Sequence, residues 1–313
     1  MLWELKNLPN RKFIPCISLK YMNIALVSYR KEEKFSQVVT DDEDDDLLAY
    51  LIANGINIEI AIWNDQNIEW TQFDLLIIKS PWDYHNHLNK FLQWLDEMQA
   101  AGIKVLNTVE VIKWNSNKKY LKEITEFGLP VIASEYLLKG SLVDEQLFDL
   151  FNTHKLVIKP CVSAGAQNTV LIDKKDFAEN TLRLNQLLKN EDFIVQPFVK
   201  EIQEGEWSFL FFNGNYSHCV LKTPKLDDFR VQHDHGGQVS YPEANREYME
   251  QAKMYLNILP EIPLYARVDG VIIQNHFHLM ELELIEPYLF FNGNKSLLNN
   301  YYQALLAKLN ASR

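Results

Sequence analysis

Between Tyr265 and Pro287 two apolar runs carry charges that a strand does not bury without a reason. Tyr265-Ala-Arg-Val-Asp-Gly-Val-Ile-Ile273 and Leu279-Met-Glu-Leu-Glu-Leu-Ile-Glu-Pro287 each read as a short strand. The polar Gln274-Asn275-His276 between them reads as a turn, so the spacing predicts a hairpin. Glu281 and Glu283 lie two positions apart, which sends both side chains to one face, where Asp269 of the partner strand can join them. Three carboxylates on one sheet face repel unless a hard cation sits among them. Mg²⁺ suits that place, because it takes oxygen ligands and grips phosphates at the same time. Neutralising one of the three is then expected to relieve repulsion and spare the fold. The alternative is three solvated charges on the outer face of a hairpin.

The order Arg267-x-Asp269, strand, Met280-Glu281-Leu282-Glu283, Glu286-Pro287 resembles the metal-binding end of the ATP-grasp ligases. That superfamily includes D-alanine–D-alanine ligase, glutathione synthetase and the RimK-type ligases. The resemblance implies Asp269, Glu281 and Glu283 as magnesium ligands, with Glu283 where the family usually has Asn. The wording of residues 279–287 resembles most a smaller subgroup, that of the ATP-grasp enzyme which closes the cycloserine ring.

A chain of 313 residues with 47% hydrophobic content is long enough for two or three packed subdomains. A net charge of −11 argues against a general nucleic-acid role, which needs a basic stripe. Cys16, Cys161 and Cys219 show no C-x-x-C spacing, as expected of free thiols in a reducing cytoplasm. No run approaches the roughly 20 apolar residues of a membrane span, and no signal peptide is evident. Residues 1–21 read as an extension, a loose tail or an upstream start, before the strand that follows Met22. The partner expected is a small molecule, with neither nucleic acid nor membrane; homo-oligomerisation stays open.

Asn23–Ser28, Ile58–Trp63 and Phe73–Ile78 read as strands, with a helix through Leu47, Leu51 and Ile52 ending at Asn54-Gly55. This is the start of an open α/β sheet, whose ligands gather beyond the carboxyl ends of the strands. Ser80-Pro-Trp-Asp-Tyr84 falls there. Trp82, Asp83 and Tyr84 either wall a substrate or pack as a self-contained turn, and a similar segment in the cycloserine-type subgroup favours the substrate. The acidic patch Asp41–Asp46 reads as a solvated helix N-terminus that complements the dipole. A helix from Leu88 to Ala101 and a strand Val105–Asn107 complete this part.

Further along, Lys159 ends the apolar strand Leu156-Val-Ile-Lys159, where a lysine seldom stands without a partner. The small residues behind it, Ser163, Ala164 and Gly165 among them, suit a loop that covers phosphates with backbone N–H groups. A helix of about 177–189, a strand Phe193–Val199 and a strand over 205–214 closed by Asn213-Gly214 follow. Strand Ser217–Lys222, a polar segment, a helix of about 244–256, the hairpin and a helix from Ser296 finish the chain. The pairs His233/His235 and His276/His278 invite zinc, but nothing else has metal-ligand spacing.

The resemblance assigns roles to these residues. Lys118 and Lys159 are implied as phosphate ligands with the 163–165 loop, Gln196, Pro197, Phe198 and Val199 as the adenine-reading hinge, and Glu206 as the ribose acceptor. Lys222, Arg230 and Arg267 are implied at the transferring phosphate, and Gly236-Gly237 against the substrate. The implied architecture is α/β and α+β: an N-terminal α/β domain over 22–108, a central lid over 109–198 and a C-terminal α+β domain over 199–313. The implied reaction is an ATP-dependent ligation or cyclisation of a small amino-acid-like substrate through an acyl-phosphate, with two Mg²⁺ ions and release of ADP and phosphate. The alternatives are modification of a peptide or protein terminus, or a non-catalytic nucleotide-binding regulator.

Overall fold

Ile24–Ser28 (β1) is buried at every position, as a strand covered on both faces must be. In this computed structural model, which describes residues 22–30, 43–165, 168–225 and 237–311, the chain continues through Glu43–Ala53 (α1) and Ile58–Ile62 (β2). Leu75–Ser80 (β3), Leu88–Ala100 (α2) and Lys104–Leu106 (β4) follow. The four strands run parallel in the order β2-β1-β3-β4. Alternate residues of β1 serve two cores: Ile24 and Leu26 pack with Leu47 and Leu51 of α1, Ala25 and Val27 with Phe91 and Leu95 of α2. This is the open α/β sheet expected from the apolar runs.

Val109–Asn115 (α3) and Tyr120–Glu126 (α4) lead into Glu135–Leu137 (β5), Gln146–Leu150 (α5), Lys155–Pro160 (β6), Val170–Asp173 (β7), Phe177–Leu187 (α6) and Phe193–Pro197 (β8). These strands form an antiparallel sheet, β5-β8-β6-β7, with its own core around Phe148, Leu156, Leu184 and Phe193. Helices α3 and α4 do not join that core, although the sequence division at 109 assigns them to the lid. Val111, Tyr120, Leu121 and Ile124 pack instead with Phe209, Val268 and Leu282 of the next sheet.

That sheet consists of Glu206–Phe212 (β9), Asn215–Thr223 (β10), Gln238–Ser240 (β11), Tyr265–Ile273 (β12) and His276–Glu283 (β13), in the order β11-β10-β9-β12-β13. Arg246–Met254 (α7) packs Ala252 against it, and Lys295–Ala311 (α8) returns to the first domain with Leu298, Tyr301 and Leu305. Gln274 and Asn275 have φ of 50° and 65°, the left-handed pair that closes a tight hairpin. Pairing therefore starts at His276, three residues earlier than the apolar pattern indicates.

Strand β13 lies at the sheet edge, where unpaired backbone groups invite association. Here they are closed from outside. Leu279 N donates to Pro130 O at 3.0 Å, and Asn115 Nδ2 donates to Leu282 O at 2.7 Å. Leu284 N donates to Asn115 Oδ1 at 3.0 Å, and Asn107 Nδ2 donates to Leu284 O at 2.9 Å. Cys161 and Cys219 are buried free thiols, and among the described residues no helix is long and apolar enough to cross a membrane.

Candidate active site

The register of the C-terminal sheet sets the charges in a row. Lys222 stands opposite Glu206, Asp269 opposite Glu281, and Arg267 opposite Glu283. The carboxylates do converge on one face, but they are interleaved with cations and do not repel as an isolated trio would. Arg267 forks onto Asp269, with Nε to Oδ1 at 3.0 Å and Nη2 to Oδ2 at 2.9 Å, and also meets Glu283. Lys222 bonds Glu206 and lies 3.2 Å from Asp269. Lys118 Nζ lies 3.2 Å from Glu281 Oε1. Asp269 is only 2% exposed, so neutralising it would take from Arg267 and Lys222 the carboxylate they share, leaving each with one other carboxylate partner, rather than relieve repulsion.

These pairings divide the carboxylates. Burial acts to raise Asp269, but Arg267 and then Lys222 outweigh it and hold the group at about 2. Burial also acts against Glu281, where Lys118 and Lys159 prevail and lower it. Burial pushes Glu283 up to about 7 despite Arg267, with Asp269 and Glu281 adding to the rise. Glu286, just beyond β13, is pushed up to about 8 by burial and then by Glu283. Glu283 and Glu286 therefore hold a proton more readily than Asp269 and Glu281, chiefly because burial is less fully offset by cations at their end of the row. Among the described residues no three side chains stand as a finished metal cage, because cations occupy part of the row. The donor set of Asp269, Glu281 and Glu283 is all oxygen, which is what a hard divalent ion takes.

The start of α4 and the lid loop after β6 contribute from the other side. Lys118 Nζ donates to Ser163 O at 2.8 Å, which ties the start of α4 to the loop after β6. Gly165 has φ of 59°, and a Cβ there would meet nothing within 4 Å. Lys159 is half-buried at the end of β6, and among the described residues it has neither hydrogen bond nor ion pair. Burial lowers its pKa, Glu281 opposes and Lys118 adds to the lowering. Gln196 is buried and donates to Ser134 Oγ at 2.9 Å, while Pro197 and Phe198 follow at the end of β8. Phe198, Val199 and Met280 are partly buried around Ile132, Ile202 and Val271, an apolar patch between lid and hairpin. Arg230, Gly236 and the pair His233/His235 lie outside the described residues, and Gly237 is buried.

The Ser80–Tyr84 segment sits beyond β3, and its three candidates go to different places. Tyr84 is 4% exposed, in the core with Phe91. Asp83 accepts from Trp63 Nε1 at 2.6 Å and Asn64 Nδ2 at 3.1 Å. Trp82 hydrogen-bonds the segment that follows the hairpin: its Nε1 donates to Glu286 O at 3.0 Å, and its ring lies 5.5 Å from that of Tyr29; Tyr84, though buried, is near enough to feel the charges of Glu286, Glu281 and Glu283. The acidic patch also departs from expectation. Glu43 and Asp44 are buried, at 2.8 and 3.2 Å from the ammonium of Lys79, which is itself fully buried. A counter-ion inside the domain replaces solvent there. Tyr29, Lys79 and Glu286 are unassigned by sequence reasoning. Lys79, standing directly after Leu75-Leu-Ile-Ile78, carries the same signal as Lys159.

An N-terminal α/β sheet, an antiparallel lid carrying Lys159 and a C-terminal sheet carrying a carboxylate row make up an ATP-grasp fold. Residues 141–278 match the family described as prokaryotic glutathione synthetase, ATP-grasp domain. Residues 24–107 match that described as D-cycloserine synthetase DcsG, N-terminal domain. Cycloserine biosynthesis protein DcsG of Streptomyces lavendulae is 26% identical over 182 residues, spanning 55% of this chain and 59% of that protein. Glutathione synthetase of Prochlorococcus marinus is 21% identical over 245 residues, 70% of this chain and 72% of that one. In fold, the crystal structure of D-cycloserine synthetase DcsG superposes with a TM-score of 0.79 at 22% identity, over 92% of this chain and 99% of that one. D-alanine–D-alanine ligase from Bacillus anthracis complexed with ATP gives 0.70 at 15% identity, over 93% and 100%.

Proposed function

We propose that this protein is an ATP-dependent ligase or cyclase that activates a carboxylate or urea-like carbonyl oxygen of a compact amino-acid-like molecule. The observation that carries the reading is Lys159. Among the described residues this half-buried ammonium has no hydrogen bond or ion pair, yet it is close enough to Glu281 for their charges to interact. A phosphate chain arriving with a divalent ion would satisfy both at once. The similarity to DcsG and to glutathione synthetase, on separate parts of the chain, supports the same reading.

In this reading the substrate oxygen attacks the γ-phosphorus of ATP and ADP leaves. A nitrogen then attacks the activated carbon, loses a proton and expels phosphate. Positioning and charge neutralisation carry phosphoryl transfer, with little covalent help needed from the protein. Lys118 and Lys159 hold the phosphates together with backbone N–H groups of the 163–165 loop. The patch of Phe198, Val199 and Met280 receives the base beside the Gln196–Pro197 hinge. Glu206 keeps one oxygen for a ribose hydroxyl while Lys222 holds the other. Lys222 and Arg267 face the transferring group; the resemblance to the ATP-grasp ligases gives Arg230 the same part and gives Gly236-Gly237 the substrate, with Arg230 and Gly236 outside the described residues. Two Mg²⁺ ions held by Asp269, Glu281 and Glu283 would supply the remaining neutralisation of phosphate charge.

Incubation with Mg-ATP and O-ureidoserine, with other small amino acids in parallel, should release ADP and give a product lighter than the substrate by one water. ADP release only when a second amino acid is added would assign an intermolecular ligase. No ADP with any small amino acid would refute the small-substrate reading.

A further inference from the structure

We propose that Glu43, Lys79 and Trp82 of the N-terminal domain are positioning residues for the carboxylate row, acting through the backbone of the segment that follows β13. Every carbonyl from 285 to 289 faces a side-chain donor. Tyr265 Oη, whose one proton is also within reach of Ile78 O, lies 2.8 Å from Ile285 O, while Trp82 Nε1 donates to Glu286 O at 3.0 Å and Lys79 Nζ to Pro287 O at 3.2 Å. Arg267 Nη1 donates to Tyr288 O at 3.0 Å, and His218, as its Nε2–H tautomer, to Leu289 O at 2.9 Å. The Leu289 N–H in turn donates to Glu43 Oε1 at 2.6 Å. Neither helix nor sheet pairs this segment; it is a strap clamped from two domains.

The strap bears on the site in two ways. It carries the Glu286 side chain beside Glu283, and its Tyr288 carbonyl fixes the guanidinium that forks onto Asp269 and Glu283. A shift at Pro287 therefore reaches Asp269 through one carbonyl and one arginine. The chemistry of the clamp argues the same way. Burying two carboxylates with one lysine is a poor way to stabilise a domain, since apolar residues of like volume often do as well. Glu43 Oε2 is buried without a hydrogen-bond partner, so the cluster is not optimised for its own stability. What it does achieve is the placement of Leu289 N–H and Pro287 C=O, 246 and 208 residues away in sequence.

The inference rests on the Mg-ATP reading of the carboxylate row. Trp82→Phe keeps the ring beside Tyr29 and removes only the N–H to Glu286. The double variant Lys79→Met with Glu43→Gln removes the Pro287 donor while retaining an acceptor for Leu289 N–H and halving the leftover charge. In each, the Mg²⁺ concentration for half-maximal ATP binding, measured by calorimetry at a temperature where circular dichroism shows the native fold, should rise about fivefold, the size of one net hydrogen bond. Hydrogen exchange at Tyr288 and Leu289 should quicken by a similar factor, and kcat should fall more than KM for the amino acid changes. A merely structural role would lower the melting temperature and leave the Mg²⁺ dependence alone. Wild-type Mg²⁺ dependence in both folded variants would overturn the inference by itself. A wild-type chain that bound no ATP at any Mg²⁺ concentration would overturn the ligase reading and the inference with it.

Discussion

Replacing Lys159 with methionine should move stability and ligand binding in opposite directions. The ammonium is half-buried with no hydrogen bond or ion pair among the described residues, and burial depresses its pKa. A lysine depressed in the folded state binds protons better when unfolded, so at neutral pH its charge works against folding. That penalty lifts only as pH rises through the folded pKa towards the ordinary lysine value. Methionine has similar length and no charge, so the variant should melt at or above the wild-type temperature. ATP binding should suffer, because a charge-assisted hydrogen bond to phosphate contributes about 1.5–3 kcal/mol, or about 10- to 150-fold in affinity. Calorimetric titration with Mg-ATP and a thermal melt read the two effects on one sample. Unchanged ATP affinity would refute the phosphate assignment. A loss of more than about 2 kcal/mol in stability would show a structural ion pair instead.

Asp269→Asn should abolish turnover and also cost about 3 kcal/mol of stability, because it leaves Arg267 and Lys222 buried without their shared counter-ion; denaturant unfolding checks the second part. Glu281→Gln, whose partner Lys118 keeps the Ser163 carbonyl, should leave stability within about 1 kcal/mol and raise the Mg²⁺ requirement for ATP binding; near-normal activity at low Mg²⁺ would remove Glu281 from the site. Gly270→Ala should destabilise by about 2–3 kcal/mol, since its Cβ would meet His278 O at 2.3 Å and the Phe277 ring at 2.5 Å. His218 is lowered to about 4 by burial, so the unfolded state takes up its proton first on acidification. Its contribution of at most about 3 kcal/mol should be lost as pH falls from about 6.5 to about 4, and His218→Gln should flatten that part of the unfolding curve.

The parts of the fold legible in the sequence are those where one periodicity acts alone. β1 and β3 are continuous apolar runs, the hairpin turn has Gln274-Asn275 in the left-handed region, and Leu88–Ala100 repeats its apolar face over three turns. The short pieces were less legible. α3 spans seven residues and β5 three, and each is defined by what it packs on. The allegiance of α3 and α4 is decided by Tyr120, whose hydroxyl reaches the Leu282 backbone 162 residues further on. No local pattern encodes such a contact. The carboxylate row was visible as residue types two apart, but the cations between them come from β10, from the start of α4 and from β12 itself. Spacing on one hairpin therefore suggested repulsion where the sheet supplies neutralisation.

Lys79 and Lys159 show why charge in an apolar strand must be read with its surroundings. Each follows a run that a sheet buries, Leu-Leu-Ile-Ile and Leu-Val-Ile, and each therefore demands an anion. For Lys79 the chain supplies two, Glu43 and Asp44 at the start of α1, and the surplus charge is used to hold the strap. For Lys159 the described residues supply no direct partner, and Glu281 is shared with Lys118. The same physical demand is met internally at one position and left open at the other. A lysine left open beside an oxygen-rich row is poised for a ligand that brings its own negative charge, and the internally paired lysine keeps that row in place. Exchanging the two solutions tests this division: Lys79→Met with Glu43→Gln should disturb metal dependence without touching the phosphates, whereas Lys159→Met should disturb phosphate affinity without touching the strap. If both variants shifted Mg²⁺ dependence and ATP affinity by the same factors, the two lysines would belong to one electrostatic unit and the division would fall.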